Sequence, residues 1–199
     1  MCNVSKSFKL AALYPDHLNL NGDMANLLVL EKRLQWQGRP AEIVPLTSSS
    51  KLADYDFVLV GHGSTAAWAE IKSIDPEFFN NVVRYINLGK PALVIASAYD
   101  RLSEAVLGKK QITGLHRSEF VKTADGIVGY LNTDSNEEVL LWYKNTVFTL
   151  LHGPVLVKNP ELADQLILKS GFVKEISQTE QSVKTDELAK ASRRIAFEN

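Results

Sequence analysis

The position best placed for covalent chemistry in this chain holds a residue that can do none. Ala96 closes the apolar run Pro91-Ala-Leu-Val-Ile-Ala96, where a short buried strand enters a tight turn of the kind that presents a nucleophile. A methyl group cannot attack a carbonyl. The nearest hydroxyl, Ser97, lies one residue along, and on a tight elbow that step turns a side chain away from the reacting position. The sole cysteine, Cys2, offers another route: once Met1 is removed, its thiol could act with its own α-amine as base. Its surroundings, Asn3-Val-Ser-Lys-Ser7, read instead as a loose leader whose thiol has no role. His152, in Leu150-Leu-His-Gly-Pro154, is either a proton carrier or a hydrogen-bonded histidine that ends a buried strand.

Other polar groups have two readings each. Val60-Gly-His-Gly-Ser64 could hold an anion on the N–H groups of Gly61, Gly63 and Ser64 if a helix follows, or it is simply a turn. It lacks the Gly-x-x-x-x-Gly-Lys spacing of a nucleotide site. The loop after the first strand carries Asp16, His17, Asn19, Asn21 and Asp23 at the edge where open α/β sheets place their sites. These residues either contact a ligand or partner, or form a network that caps the helix beginning near Asp23. Core packing is the default for Trp36, Trp68 and Trp142, with Trp68 the best placed of the three as a contact anchor. One cysteine and four scattered histidines show no metal-ligand spacing, so neither a metal nor a cofactor is expected.

The elements that must position these groups follow from hydrophobic pattern. Short apolar runs at 8–13, 41–44, 57–60 and 91–96 read as buried strands, and periodic patterns at 23–37 and 75–89 as helices. Strands at 120–122, 126–130 and 147–151, a helix at 160–169 and a charged helix at 185–197 complete the expectation. Alternation at this spacing implies an α/β fold in three layers, a mostly parallel sheet with helices on both faces. One domain is expected over 1–199, with 1–7 as a flexible leader and 177–184 at most a hinge. Lys and Arg total 22 against 23 Asp and Glu, without blocks of like charge, so nothing global favours nucleic acid or anionic lipid. No apolar run approaches the roughly 20 residues of a membrane span, and the start is too polar for a signal peptide, which implies a cytoplasmic protein.

Four fragments occur in a telling order: Tyr14-Pro-Asp-His-Leu-Asn-Leu-Asn-Gly-Asp-Met-Ala-Asn26, the Val60 to Ser64 turn, the elbow at Ala96, and Leu150-Leu-His-Gly-Pro154. Together they resemble class I glutamine amidotransferases of the cobyric-acid-synthase type, in particular the glutaminase subunits of lipid II isoglutaminyl synthases. The resemblance runs from about residue 8 to the C-terminal helix and implies a flavodoxin-like fold. It also implies a partner, a Mur-ligase-like synthetase subunit that takes ammonia to amidate the D-glutamate of the peptidoglycan precursor.

By the same resemblance the nucleophile position is Ala96, the histidine is His152, and the oxyanion donors are backbone N–H groups near Gly63 and Ser97. Gly61, Ser64 and Asn132 then belong to the remnant of the ligand site, and Asp16, Asn19, Asn21 and Asp23 to a loop near the working face. The chain departs from the family where Ser97 and Ala98 replace glycines and where Leu131-Asn-Thr-Asp-Ser135 replaces a Glu-Asn-His-Gly-Gly-like segment. The stretch between elbow and histidine is also short for the family. The expectation is a degenerate subunit without glutaminase activity that partners the synthetase. Two alternatives stand beside it: a sensor that binds glutamine or a related amino acid, and an active glutaminase that uses Cys2 or Ser97.

Overall fold

Parallel strands with both faces covered are buried on both faces, and the runs Phe57–Val60, Ala92–Ile95 and Thr146–Thr149 are buried at every position. In the computed structural model, which describes residues 7–108, 110 and 113–198, the elements run β1 (Phe8–Leu13), α1 (Ala25–Trp36), β2 (Ala41–Leu46), β3 (Phe57–Val60), α2 (Thr65–Ile74) and α3 (Phe78–Asn87). There follow β4 (Ala92–Ile95), α4 (Ser97–Leu107), β5 (Thr113–Lys122), β6 (Val128–Ser135), β7 (Leu140–Tyr143) and β8 (Thr146–Thr149). The chain closes with β9 (Leu151–His152), α5 (Val155–Lys158), α6 (Pro160–Lys169) and α7 (Glu180–Glu198). All but Ser7 of the expected leader, Cys2 included, lies outside the described residues.

Six strands form the main sheet in the order β2-β1-β3-β4-β8-β7, parallel throughout except for the β7–β8 hairpin at one edge. Side chains alternate between its two faces. Ala11, Leu13, Val58, Val60, Ala92, Val94 and Phe148 pack under α2, α3 and α4, which supply Trp68, Ile71, Phe78, Val82, Tyr85 and Tyr99. Phe8, Leu10, Phe57, Leu59, Leu93, Ile95 and Val147 pack under α1, α5 and α6, with Leu27, Leu30, Leu34, Leu156 and Leu166. This is the three-layer α/β architecture with helices on both faces. A second, antiparallel sheet of order β5-β6-β9 stands beside it.

Local physics explains where the elements differ from expectation. Strand β2 runs through Pro45 to Leu46 because an edge strand tolerates a residue without an N–H. The run expected as one strand at 147–151 is divided: Leu150 N–H bonds to the Val139 carbonyl (2.9 Å) and β9 then joins the small sheet. Strand β7 is missed by pattern because its hairpin turns on Lys144-Asn145, with Lys144 at φ 53, rather than on a glycine pair. Helix α7 starts at Glu180 instead of 185, so residues 180–184 are helical and not a hinge. Thr179 and Ser182 exchange reciprocal bonds there, Ser182 N–H to Thr179 Oγ1 (3.1 Å) and Thr179 N–H to Ser182 Oγ (2.9 Å), which closes the first turn. Arg33 of α1 then clamps α7 onto the body through Asp164 of α6 (2.6 Å) and Asp186 of α7 (2.8 Å). No helix among the described residues is long and apolar enough to cross a membrane.

Candidate functional site

Ala96 joins β4 to α4 with φ 48 and ψ −113, a backbone conformation that side chains other than glycine's adopt only under strain. The turn is held by Ala96 N–H to the Thr149 carbonyl (2.7 Å) and by the Ala96 carbonyl accepting from Asp100 N–H (3.1 Å). Such an elbow lifts one side chain clear of the sheet edge, and here that side chain is a methyl.

The next residue faces a second turn that follows β3. Ser97 Oγ accepts from Gly63 N–H (3.0 Å) and from Trp68 Nε1–H (2.9 Å), and donates to the Gly63 carbonyl (3.0 Å). Its one proton and both lone pairs are therefore committed. The Ser97 N–H is aimed at His62 Nδ1 (3.3 Å). Both backbone donors expected to line an oxyanion hole thus already have internal partners, and the Ser97 hydroxyl is a structural hub. Trp68 follows the default reading of core packing and is 2% exposed.

Gly61 and Gly63 let the loop after β1 lie directly on this turn. A Cβ on Gly61 would stand 2.1 Å from the Leu18 carbonyl, and one on Gly63 would stand 2.6 Å from the Leu18 side chain. The loop is pinned by Asp23, whose Oδ2 accepts from His62 N–H (2.8 Å). Asp23 is 0% exposed and its Oδ1 has no protein partner among the described residues, so burial pushes its carboxyl up to about 6, against the lowering effect of the His62 bond. Asp23 does not cap α1. No side chain does: the N–H groups of Ala25, Asn26 and Leu27 bond to the carbonyls of Gly22, Asp23 and Met24, while Asn19 Oδ1 accepts from Met24 N–H (2.9 Å) just before the helix. Ser64 caps α2 by accepting from Ala67 N–H (3.1 Å), while Asp16 stands exposed on the outside of the loop. Asp75 directs its carboxylate to Ser49 N–H (2.8 Å) and the Tyr14 hydroxyl (3.0 Å), tying two loops together.

His62, not singled out by sequence reasoning, occupies the centre. Its ring lies edge-on to that of His152 with centroids 4.8 Å apart, and burial together with this neighbour holds its pKa down at about 4. The signal for it was present: a histidine between glycines at the carboxyl end of a buried strand. His152 is held on both ring nitrogens. Nε2 donates to the Asn132 carbonyl (2.9 Å), an acceptor only, which leaves Nδ1 to accept from the Asn21 amide (2.7 Å). Burial lowers its pKa, with the Asn132 bond opposing. Asn132 therefore enters the site through its backbone. Alongside lies a polar cleft of about 380 Å³ lined by Asp100, His116, Asn132, Thr133, Asp134 and Ser135. Among the described residues no group of three or more His, Cys, Asp or Glu side chains could hold a metal.

The arrangement gathers Ala96, Ser97, Gly61, Gly63, His152, Asn21 and Asp23 around His62. It contains an elbow, two histidines and two turns of backbone N–H groups, and within it the Ser97 hydroxyl and the Gly63 and Ser97 N–H groups all have internal partners. In composition it is a closed hydrogen-bond network.

Comparison with known proteins agrees with the architecture. No family model matches the chain. The chain is 25% identical over 201 residues to the GatD subunit of lipid II isoglutaminyl synthase (glutamine-hydrolyzing) from Staphylococcus aureus (strain N315), covering 78% of this chain and 81% of that protein. The fold is similar to that of a glutamine amidotransferase from Thermotoga maritima, with a TM-score of 0.52 at 13% identity, over 96% of this chain and 94% of that one. Elbow, sheet order and sequence likeness converge: the chain has a class I glutamine amidotransferase-like fold and is similar in sequence to GatD.

Proposed function

We propose that this chain is a glutamine amidotransferase-like subunit without glutaminase activity, a single domain acting as the noncatalytic or regulatory partner of a Mur-ligase-like synthetase that amidates a peptidoglycan precursor. The observation that carries the reading is the elbow. A residue held at φ 48 and ψ −113 costs on the order of 1–3 kcal/mol, and that strain gains nothing when it presents a methyl group. Amide hydrolysis by this route needs a thiolate, a mobile proton carrier and free oxyanion donors. Here the thiolate position is Ala96, His152 is tethered at both nitrogens, and Gly63 N–H serves Ser97 Oγ. The alternative that Ser97 attacks in place of cysteine is disfavoured by the three hydrogen bonds that occupy its hydroxyl.

What the fold retains is a surface. The sequence likeness to GatD spans most of both chains, which supports a kept partner surface alongside a lapsed site. The test is an ammonia-release assay on the pure chain, alone and with its co-expressed synthetase, together with co-purification of the two. No ammonia and a stable complex are expected. Ammonia release at ordinary enzymatic rates by the wild-type chain would overturn the reading.

A second reading, a sensor for an amino acid such as glutamine, is favoured by one observation, the polar cleft of about 380 Å³ beside Asn132. A thermal shift with glutamine or glutamate, without ammonia, would support it over the first.

A further inference from the structure

We propose that the chain pairs with a second copy of itself through the outer edge of β5, the two β5 strands running antiparallel about a twofold axis at Ser118. The two three-stranded sheets would then join into one continuous sheet. This interface lies outside the network around His62 and does not depend on the reading given above.

Strand β5 spans ten residues and is hydrogen-bonded on one side only, to β6. On its other side no backbone group of residues 115–121 has a backbone partner among the described residues. The remaining edges are blunted as sheet edges usually are. Strand β2 carries Pro45, β7 has four residues with Trp142 covered by Lys169 (4.7 Å), and β9 has two. By contrast β5 is the longest strand described and contains no proline.

The sequence of β5 is complementary to itself. In antiparallel pairing, residues directly opposite one another share a face of the sheet. About Ser118, Arg117 stands opposite Glu119 of the second copy and Glu119 opposite its Arg117, so two charge pairs form at the axis. The β5–β6 register is irregular between Thr113 and Arg117, where Leu115 is 88% exposed, and regular from Arg117 to Lys122, which holds the charged pair. Arg117 spends one Nη2–H on the Ser135 carbonyl (2.9 Å) and its Nε is buried without a partner, so the pair with Glu119 of the second copy falls to the remaining terminal N–H groups of its guanidinium.

Register is specified as well. Because the two strands are identical, the residues whose N–H and C=O groups point outward have the same parity in both, so odd must pair with odd and even with even. Moving the axis to residue 117 sets Arg117 against Arg117; moving it to 119 sets Glu119 against Glu119. Of these three neighbouring registers, only the one centred on Ser118 places opposite charges together.

The experiment is sedimentation equilibrium of the full chain over a concentration series, with three variants. Wild type is expected to approach the mass of two chains as concentration rises. Arg117→Glu sets like charges across the axis, and so does Glu119→Arg, and each should raise the dissociation constant at least tenfold. An equimolar mixture of these two variants places opposite charges at both contacts and should form a heterodimer, and the double variant R117E/E119R should again self-associate. Arg117→Glu also removes the bond to Ser135, so its fold is checked by thermal melting; Glu119, an exposed side chain, keeps the test independent of that outcome. A wild-type chain that stays single at every concentration overturns the proposal. So does a folded Glu119→Arg that associates as wild type does, or a mixture of the two folded single variants that fails to pair.

Discussion

Placing a thiol at position 96 should not by itself confer glutaminase activity, and the size of the shortfall can be worked from the geometry. In Ala96→Cys the new side chain inherits an elbow with φ 48 and ψ −113, suited to a nucleophile. The groups that would hold the oxyanion are engaged: Gly63 N–H by Ser97 Oγ at 3.0 Å and Ser97 N–H by His62 Nδ1 at 3.3 Å. Removing one oxyanion donor from a working enzyme costs ~10²–10³ in kcat, so two committed donors imply ~10⁴–10⁶. Against an ordinary turnover of about 10 s⁻¹, Ala96→Cys is expected at or below about 10⁻³ s⁻¹. Adding Ser97→Gly releases the Gly63 N–H and should raise the rate by about 10²-fold, the effect of one donor. The assay is ammonium formation at saturating glutamine, coupled to a reductive amination and run with and without the synthetase on variants shown to be folded. Turnover near 1 s⁻¹ by Ala96→Cys alone would mean that the Gly63 and Ser97 N–H groups are available, and the reasoning would fail.

Two further perturbations examine the same network through stability. Ser97→Ala strands two buried donors, Gly63 N–H and Trp68 Nε1–H, for a loss of about 3 kcal/mol and about 10 °C in Tm; a shift under a quarter of that in a thermal melt would deny Ser97 its structural role. Asp23, raised from 3.8 to about 6, contributes stability that is present below its ordinary pKa and lost as pH rises through about 6. The stability of Asp23→Asn relative to wild type should therefore improve by about 2 kcal/mol between roughly pH 4 and pH 7 in urea titrations. His62, lowered from 6.5 to about 4, contributes in the opposite sense, losing stability as pH falls, so only the difference between the two proteins isolates Asp23. A difference that stays flat with pH would remove Asp23 as a buried titrating group.

Composition and pattern determined the layers of this molecule. Runs such as 57–60 and 92–95 are apolar at every position, and a strand of that kind is stable only with both faces covered, which forces helices onto both sides of the sheet. The elbow was legible for a similar reason, since a buried strand that ends in small residues before a helix leaves little choice of turn. The state of the site was a different matter. Ser97 meets Gly63 across 34 residues, Asp23 meets His62 across 39, and Asn21 meets His152 across 131. No local periodicity encodes which of two acceptors a backbone N–H will find, and the hydroxyl at 97 reads identically whether it is poised or spent. That decision belongs to the packing of the loop after β1 against the turn after β3, where two glycines allow an approach too close for any side chain and the hydrogen bonds of the site close upon one another.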